Sequence, residues 1–313
     1  MKTTRPTPAR LSLRAQVLRR VTRLLLRPVL SGDMPIPRQR ARLAQISRLM
    51  GLIPLPRGTL VSQQPLGGVP TEWLENLHAG VQGYLLYLHG GAYAIGSPAS
   101  HRNLTAHLAK RCGVRVAVPD YRLAPDHPFP AAVDDALAAY RALIDMGVAA
   151  QDIVIAGDSA GGGLTLACAL AIRDAGLPLP AGLICLSPWT DLTGSGQSMT
   201  GNAATEAMLS HRATGVYAGA YLNGADPRTP LASPMYADLA GLPPLLIQVA
   251  DAEILYNDAT RLADAAQRAG VRTDLQVYAN LWHVWQLYAG QMPEADDAVA
   301  SMAQFVTARL GGA

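Results

Sequence analysis

The 313-residue chain predicts an α/β protein with a mainly parallel, eight-stranded sheet flanked by helices. Three observations carry that expectation. From residue 59 onward, short apolar runs of strand length alternate with amphipathic stretches of helix length, the pattern of a parallel sheet covered on both faces. Half of the residues are hydrophobic, too many for a disordered chain. The length allows one large domain or two medium ones, with ample interior for a buried core.

The elements follow in order. Residues 8–30 place Leu11, Val17, Leu18, Val21, Leu24 and Leu25 at helical spacing with arginines between them, an amphipathic helix. A second helix follows Pro37, with Leu43, Ile46, Leu49 and Met50 on one side, and Pro54 and Pro56 end it. Leu60–Gln64 and Thr71–His78 read as an antiparallel pair. Strands are expected at Tyr84–Leu88, Val114–Val118, Ile153–Ala156, Gly182–Leu186, Leu245–Ala250 and Thr273–Tyr278. The helices between and after them are His101–Arg111, Ala131–Met146, Leu164–Asp174, Asp258–Ala269 and Ala295–Leu310. Residues 191–243 break the rhythm. They hold two helix-like pieces, many Gly, Ser and Pro residues and no convincing strand, as an insertion between two sheet strands would.

The net charge of +3 hides an asymmetry. Residues 1–50 carry 12 basic side chains against the single acid Asp33, a net of +11, and residues 51–313 carry −8. The basic helical pair could lie on anionic lipid, contact nucleic acid or form a lid over the rest of the chain. Its arginines are spread along the helices and it has no aromatic residue, which disfavours nucleic acid; charge runs of this kind are usually solvated faces. Val21–Leu30 is interrupted by Arg23 and Arg27 and no A-x-A site follows it, which argues against a signal peptide. The run is also too short to span a bilayer, so a cytoplasmic protein is expected.

Other chemistries are excluded by residue type. Lysine occurs only at Lys2 and Lys110, neither in a P-loop context. No H-E-x-x-H, C-x-x-C or EF-hand spacing appears, so no metal site is expected. Cys112, Cys168 and Cys185 sit in apolar runs and read as small buried hydrophobes of a reducing compartment.

The central signal is Gly157-Asp158-Ser159-Ala160-Gly161, between an apolar strand and an Ala/Leu-rich helix. In that context G-x-S-x-G is a nucleophile elbow, a sharp turn that lifts a serine hydroxyl above the sheet. Strand Tyr84–Leu88 ends in His89-Gly90-Gly91-Ala92, whose N–H groups, with that of Ala160, can form an oxyanion hole. His89 precedes the serine and reads as a structural hydrogen-bonding residue. In this architecture the triad runs Ser, acid, His. Of the two histidines after Ser159, His211 lies in the insertion, whereas His283 follows the last strand and is the expected base. The acid should lie after Leu245–Ala250, where Asp251 and Glu253 are both candidates that chain position does not separate. Trp189, Trp282 and Trp285 flank the site as pocket candidates or core aromatics.

These motifs together resemble the bacterial hormone-sensitive-lipase-type (family IV) carboxylesterases, a branch of the α/β-hydrolase fold. His89-Gly90-Gly91-Ala92 resembles the family's H-G-G-G/A. Asp120-Tyr121-Arg122-Leu123-Ala124-Pro125 resembles its D-Y-R-L-A-P-E segment, with Asp126 in place of Glu. Gly157 to Gly162 resembles its G-D-S-A-G-G elbow, and Glu253 to Asp258 its D-P-L-R-D-E acid motif. That alignment, together with the family's spacing of about 30 residues between acid and histidine, implies Glu253 rather than Asp251 as the acid. The resemblance further implies a helical cap formed by residues 1–50 and 191–235 over a catalytic core of 51–190 and 236–313. It implies a homodimer through an exposed sheet edge.

The implied reaction is hydrolysis of short- to medium-chain acyl esters by Ser159, His283 and Glu253, with oxyanion donors among Gly90, Gly91, Ala92 and Ala160. The expected partner is a small ester substrate. No cofactor, metal, nucleic acid or stable membrane association is expected. An amidase or acyltransferase on the same triad and a non-catalytic ligand-binding member of the fold are the alternatives. The charge asymmetry then reads as a basic cap attracted to its own acidic core.

Overall fold

All eight expected strands assemble into one sheet, in a computed structural model that describes residues 2–4, as backbone only, and residues 11–310. Lys2–Thr4 (β1) adds a ninth strand. The others are Thr59–Gln63 (β2), Thr71–Asn76 (β3), Tyr84–Leu88 (β4), Arg115–Pro119 (β5), Ile153–Asp158 (β6), Gly182–Leu186 (β7), Leu245–Ala250 (β8) and Thr273–Tyr278 (β9). The strand order is β1-β9-β8-β7-β6-β4-β5-β3-β2, parallel except for the pairings of β3 with β2 and with β5. The chain steps from β4 to β5 on one side and then returns to place β6 on the other. That reversal opens a crevice beyond the carboxyl ends of β4 and β6, where open α/β sheets bind ligands.

The helices are Leu13–Leu25 (α1), Ile36–Met50 (α2), Pro98–Cys112 (α3), Ala131–Asp145 (α4), Ala160–Asp174 (α5), Ser198–Gly201 (α6), His211–Leu222 (α7), Tyr256–Arg268 (α8) and Pro293–Leu310 (α9). Alternate residues of each strand point to opposite faces. Leu85 and Tyr87 of β4 pack with α3 and α9, whereas Leu86 and Leu88 join α4, α5 and α8. The stretch expected as an insertion holds α6 and α7 and no strand. Cys112, Cys168 and Cys185 are buried free thiols; burial pushes the first two up to about 12 and Cys185 higher still.

The N-terminal segment differs from its expected packing. The helix expected from residue 8 begins at Leu13, and residues 8–10 lie outside the described residues. Its buried side chains are Ala15 and Thr22, seven residues apart on one face. Val17, Val21, Leu24 and Leu25, expected on the packed face, are exposed, as is Leu13; Leu11 and Leu18 are half-buried. Small residues let α1 approach closely, and the Thr22 hydroxyl bonds that of Tyr288. Ser12 caps the helix by accepting from the Ala15 N–H, and its own N–H and hydroxyl donate to the Glu294 carboxylate at 2.7 and 2.9 Å.

The arginines hold this segment mainly through carbonyl oxygens rather than carboxylates. Arg19 donates to Thr205 O and Asn280 O, and Arg27 to Glu206 O. Arg40 donates to Ala94 O at 2.8 Å and Ala124 O at 2.7 Å, and pairs with Asp126 at 2.6 Å. The outer side of β9 carries β1, parallel to Leu275–Val277, as the edge strand of the sheet. Among the described residues no helix is long and apolar enough to cross a membrane.

Arg40 is the most connected of these anchors. Arg40→Ala removes three charge-assisted hydrogen bonds and is expected to lower stability by about 2 kcal/mol in urea unfolding.

Candidate active site

Strand β6 runs directly into α5, and the residue between them is Ser159. Its backbone takes φ 53° and ψ −121°, a left-handed conformation that costs a non-glycine residue about 1–3 kcal/mol. Surrounding bonds hold it there. Its N–H donates to Leu186 O at 2.8 Å, and its carbonyl accepts from the N–H groups of Gly162, Gly163 and Trp189. The turn has room for no side chain on either flank. A Cβ on Gly157 would stand 2.2 Å from Gly161 O, and one on Gly161 would stand 1.9 Å from Leu88 O.

Strand β4 delivers the second part. After His89 the backbone turns through Gly91 at φ 126° and Ala92 at φ 54°. Among the described residues, no acceptor takes the N–H of Gly91, Ala92 or Ala160. Gly90, expected as a possible donor, is already engaged: its N–H donates to Asp158 Oδ1 at 3.0 Å, with His101 Nε2 at 3.3 Å. Ala92 lines the cavity.

The third part comes from the loops after β8 and β9. His283 Nδ1 donates to Glu253 Oε2 at 2.8 Å, and both side chains are buried. Glu253 Oε1 accepts from the Ser187 hydroxyl and from the Ala250 N–H, each at 2.7 Å. Asp251 is exposed and accepts instead from the Asn280 N–H at 2.7 Å. Burial alone would lower the His283 pKa; the bond and charge of Glu253, with the charges of Glu206 and Asp158, outweigh it and hold it above the ordinary histidine value. Ser159 and His283 line one cavity of about 200 Å³. Gly91 and Ala92 also line it, Leu30, Leu43 and Ile46 come from the N-terminal segment, and Met208, Leu209 and Tyr217 from the inserted one.

Comparison with known proteins agrees with this geometry. A family model described as "alpha/beta hydrolase fold" matches residues 85–287. An acetyl-hydrolase of Streptomyces hygroscopicus is 44% identical over 261 residues, 83% of this chain and 86% of that protein. An esterase of Acinetobacter venetianus is 37% identical over 255 residues, covering 80% and 84%. The crystal structure of an esterase from the bacterial hormone-sensitive lipase family superposes with a TM-score of 0.90 at 40% identity, covering 96% of this chain and 99% of that one. The chain belongs to the bacterial hormone-sensitive-lipase family of α/β hydrolases.

Several residues that shape this α/β-hydrolase site were not singled out from the sequence for the part they play. Asp158, inside the elbow motif, is buried and accepts from the Tyr87 hydroxyl at 2.7 Å as well as from Gly90, with His101 Nε2 at 3.2 Å. Burial would raise its carboxyl, but the His101 charge and the hydrogen bonds from His101 and Tyr87 hold it below the ordinary value. His101 is raised in return: burial lowers it, and Asp158 more than restores it. Thus one carboxylate ties the residue before Ser159 to the first glycine of the loop after β4. His89 is structural, as expected. It stacks on Tyr121 at 4.3 Å, and burial, with the His101 charge, pushes it down to about 3, so it stays neutral. Tyr121, from the D-Y-R-L-A-P segment, donates its hydroxyl proton to His89 O at 2.6 Å.

Of the three candidate pocket tryptophans, only Trp189 lines the cavity. Trp282 and Trp285 are core residues. Trp285 packs on Tyr278 and donates to Glu294 O, and Trp282 packs edge-on against Tyr288. Their neighbour His283 faces the site, so the large rings on either side of it fill the space behind the loop.

The closest packing in the site gives a direct test. Gly161→Ala forces a methyl against the Leu88 carbonyl and is expected to destabilise the protein by about 1–3 kcal/mol in urea unfolding, with esterase turnover falling further than stability does.

Proposed function

We propose that this chain is a serine carboxylesterase that hydrolyses short- to medium-chain acyl esters through an acyl-enzyme. The observation that carries the reading is the meeting, in one cavity, of Ser159, a His283 ring bonded to Glu253, and the unclaimed backbone N–H groups of Gly91 and Ala92, with the unclaimed N–H of Ala160 directly after the serine. Ser159 Oγ attacks the ester carbonyl while His283 Nε2 takes its proton. Glu253 fixes the imidazole tautomer and stabilises the imidazolium. The N–H groups of Gly91, Ala92 and Ala160 receive the oxyanion, aided by the positive end of α5. His283 then returns the proton to the leaving alcohol, and water repeats the attack on the acyl-enzyme.

The cavity volume suits a small acyl group, and its apolar walls suit a hydrocarbon chain. The leucines and Ile46 of the N-terminal segment and Met208, Leu209 and Tyr217 support a cap made of residues 1–50 and 191–235. A homodimer through a sheet edge would use β2, or β9 after displacement of β1.

Hydrolysis of p-nitrophenyl butyrate tests the reading, with a p-nitroanilide as control for amidase activity. Ser159→Ala is expected to lose about 10⁴-fold or more in kcat; turnover equal to wild type would refute it. Glu253→Ala should fall by a similar order, while Asp251→Ala retains most turnover.

The pH profile gives a further check. The neutral imidazole is the base, so kcat/KM rises with pH as His283 loses its proton. Because Glu253 stabilises the protonated ring, the acid limb should have its midpoint above 6.5, and Glu253→Gln should move any residual limb downward.

A further inference from the structure

The inserted segment grips the loop that carries the triad acid. Asn202 Nδ2 donates to the carbonyls of Asp251 at 2.8 Å and Glu253 at 2.7 Å. The Thr205 hydroxyl donates to Ala252 O at 3.0 Å. Glu206 Oε2 accepts from the Ile254 N–H at 3.1 Å. Every residue from 251 to 254 is therefore held by a side chain from the short stretch 202–206. Glu206 is itself buried, and its other oxygen accepts from the N–H groups of Met208 at 2.8 Å and Leu209 at 3.4 Å, two residues that line the cavity. The outer side of the stretch is held by Arg19 on Thr205 O and Arg27 on Glu206 O.

We infer that residues 202–206 form a clasp in which Glu206 is a positioning residue for the proposed triad. One carboxylate fixes both the loop that presents Glu253 and the wall that meets the substrate, so seating of the ester and orientation of the imidazole are set together. The inference rests on the esterase reading above. A merely structural acid would serve as well anywhere in the interior, whereas this one bridges the two segments that must agree during turnover. A misplacement of the acid loop on the order of 1 Å is enough to cost about 10²-fold in rate.

The position also has an electrostatic consequence. The carboxylates acting on His283 are Glu253 from the acid loop, Glu206 from the inserted segment and Asp158 from the end of β6; burial opposes all three. The nearby cations Arg19 and Arg27 are engaged by the carbonyls of Thr205 and Glu206 on the outer side of the clasp, and Arg19 also by Asn280 O. Burial, with the Glu253 charge, holds the Glu206 carboxyl above the ordinary value, while the His283 charge and the N–H groups of Met208 and Ile254 favour its anion. An anionic Glu206 favours the imidazolium, so its removal lets His283 lose its proton at lower pH.

The test measures p-nitrophenyl butyrate hydrolysis against pH for Glu206→Gln, Glu206→Asp, Asn202→Ala and Ser159→Ala, with thermal unfolding of each. Glu206→Gln places an amide N–H₂ against a backbone N–H or gives up that bond. It is expected to lower kcat by about 10-fold or more and to move the acid limb of kcat/KM to lower pH. Glu206→Asp keeps the charge and should leave the limb in place. Asn202→Ala should lower kcat with the limb unmoved and KM little changed. A folded Glu206→Gln with wild-type kcat and acid limb overturns the inference. If that variant does not fold, Asn202→Ala with wild-type kcat overturns it. Wild-type turnover in Ser159→Ala instead refutes the esterase reading and takes the inference with it; loss of turnover there, with normal Glu206 and Asn202 variants, refutes the clasp alone.

Discussion

The site depends on one close backbone approach. At Gly161 the first turn of α5 presses so near the end of β4 that a Cβ would stand 1.9 Å from Leu88 O. This contact sets the distance between the strand that ends in the glycine loop and the helix that begins behind Ser159. It brings the loop that carries Gly91 and Ala92 beside the turn that carries Ala160. Because β4 and β6 are hydrogen-bonded neighbours at the point where strand order reverses, both loops emerge into one crevice. Strain at Ser159 is the counterpart: its left-handed φ is held by bonds to Leu186, Gly162, Gly163 and Trp189.

Buried polar groups then fix each part to its neighbour. Asp158 joins the elbow to the glycine loop after β4 through Gly90 and to α3 through His101. Glu253 spans the ends of β7, β8 and β9 through Ser187, Ala250 and His283. Glu206 links the acid loop to the cavity wall. Each carboxylate is buried and has several donors around it, the arrangement in which a buried charge rigidifies a site and in which losing a single partner is expensive.

The sheet was legible because its strands are apolar runs of the right length and its helices have regular faces. Lys2–Thr4 was not, since three residues with no apolar alternation carry no strand signal. The packed face of α1 was misjudged because hydrophobicity ranks leucine above alanine and threonine, whereas close helix approach selects small side chains such as Ala15 and Thr22. Ser159 and His283 stand out by local motif and chain order. The choice of Glu253 came from motif alignment and agrees with its bond to His283, while Asp251, two residues away, turns outward to Asn280. The engagement of Gly90 by Asp158, the support of Glu253 by Ser187 and the contacts of Glu206 join residues 48 to 68 positions apart. No single-sequence pattern encodes such pairs. Trp282 and Trp285 flank a site histidine in sequence but fill the core behind it, because neighbours on a tight loop point in different directions.

The proposed chemistry turns on Ser159 as the nucleophile that carries the acyl group. Its most direct measurement is intact-protein and peptide mass spectrometry after incubation with a p-nitrophenyl alkylphosphonate, which leaves a stable adduct on an activated serine. One adduct per chain is expected, on the peptide containing Ser159, with release of one equivalent of p-nitrophenol and none from Ser159→Ala. Labelling of another residue, or stoichiometric labelling of Ser159→Ala, would contradict it.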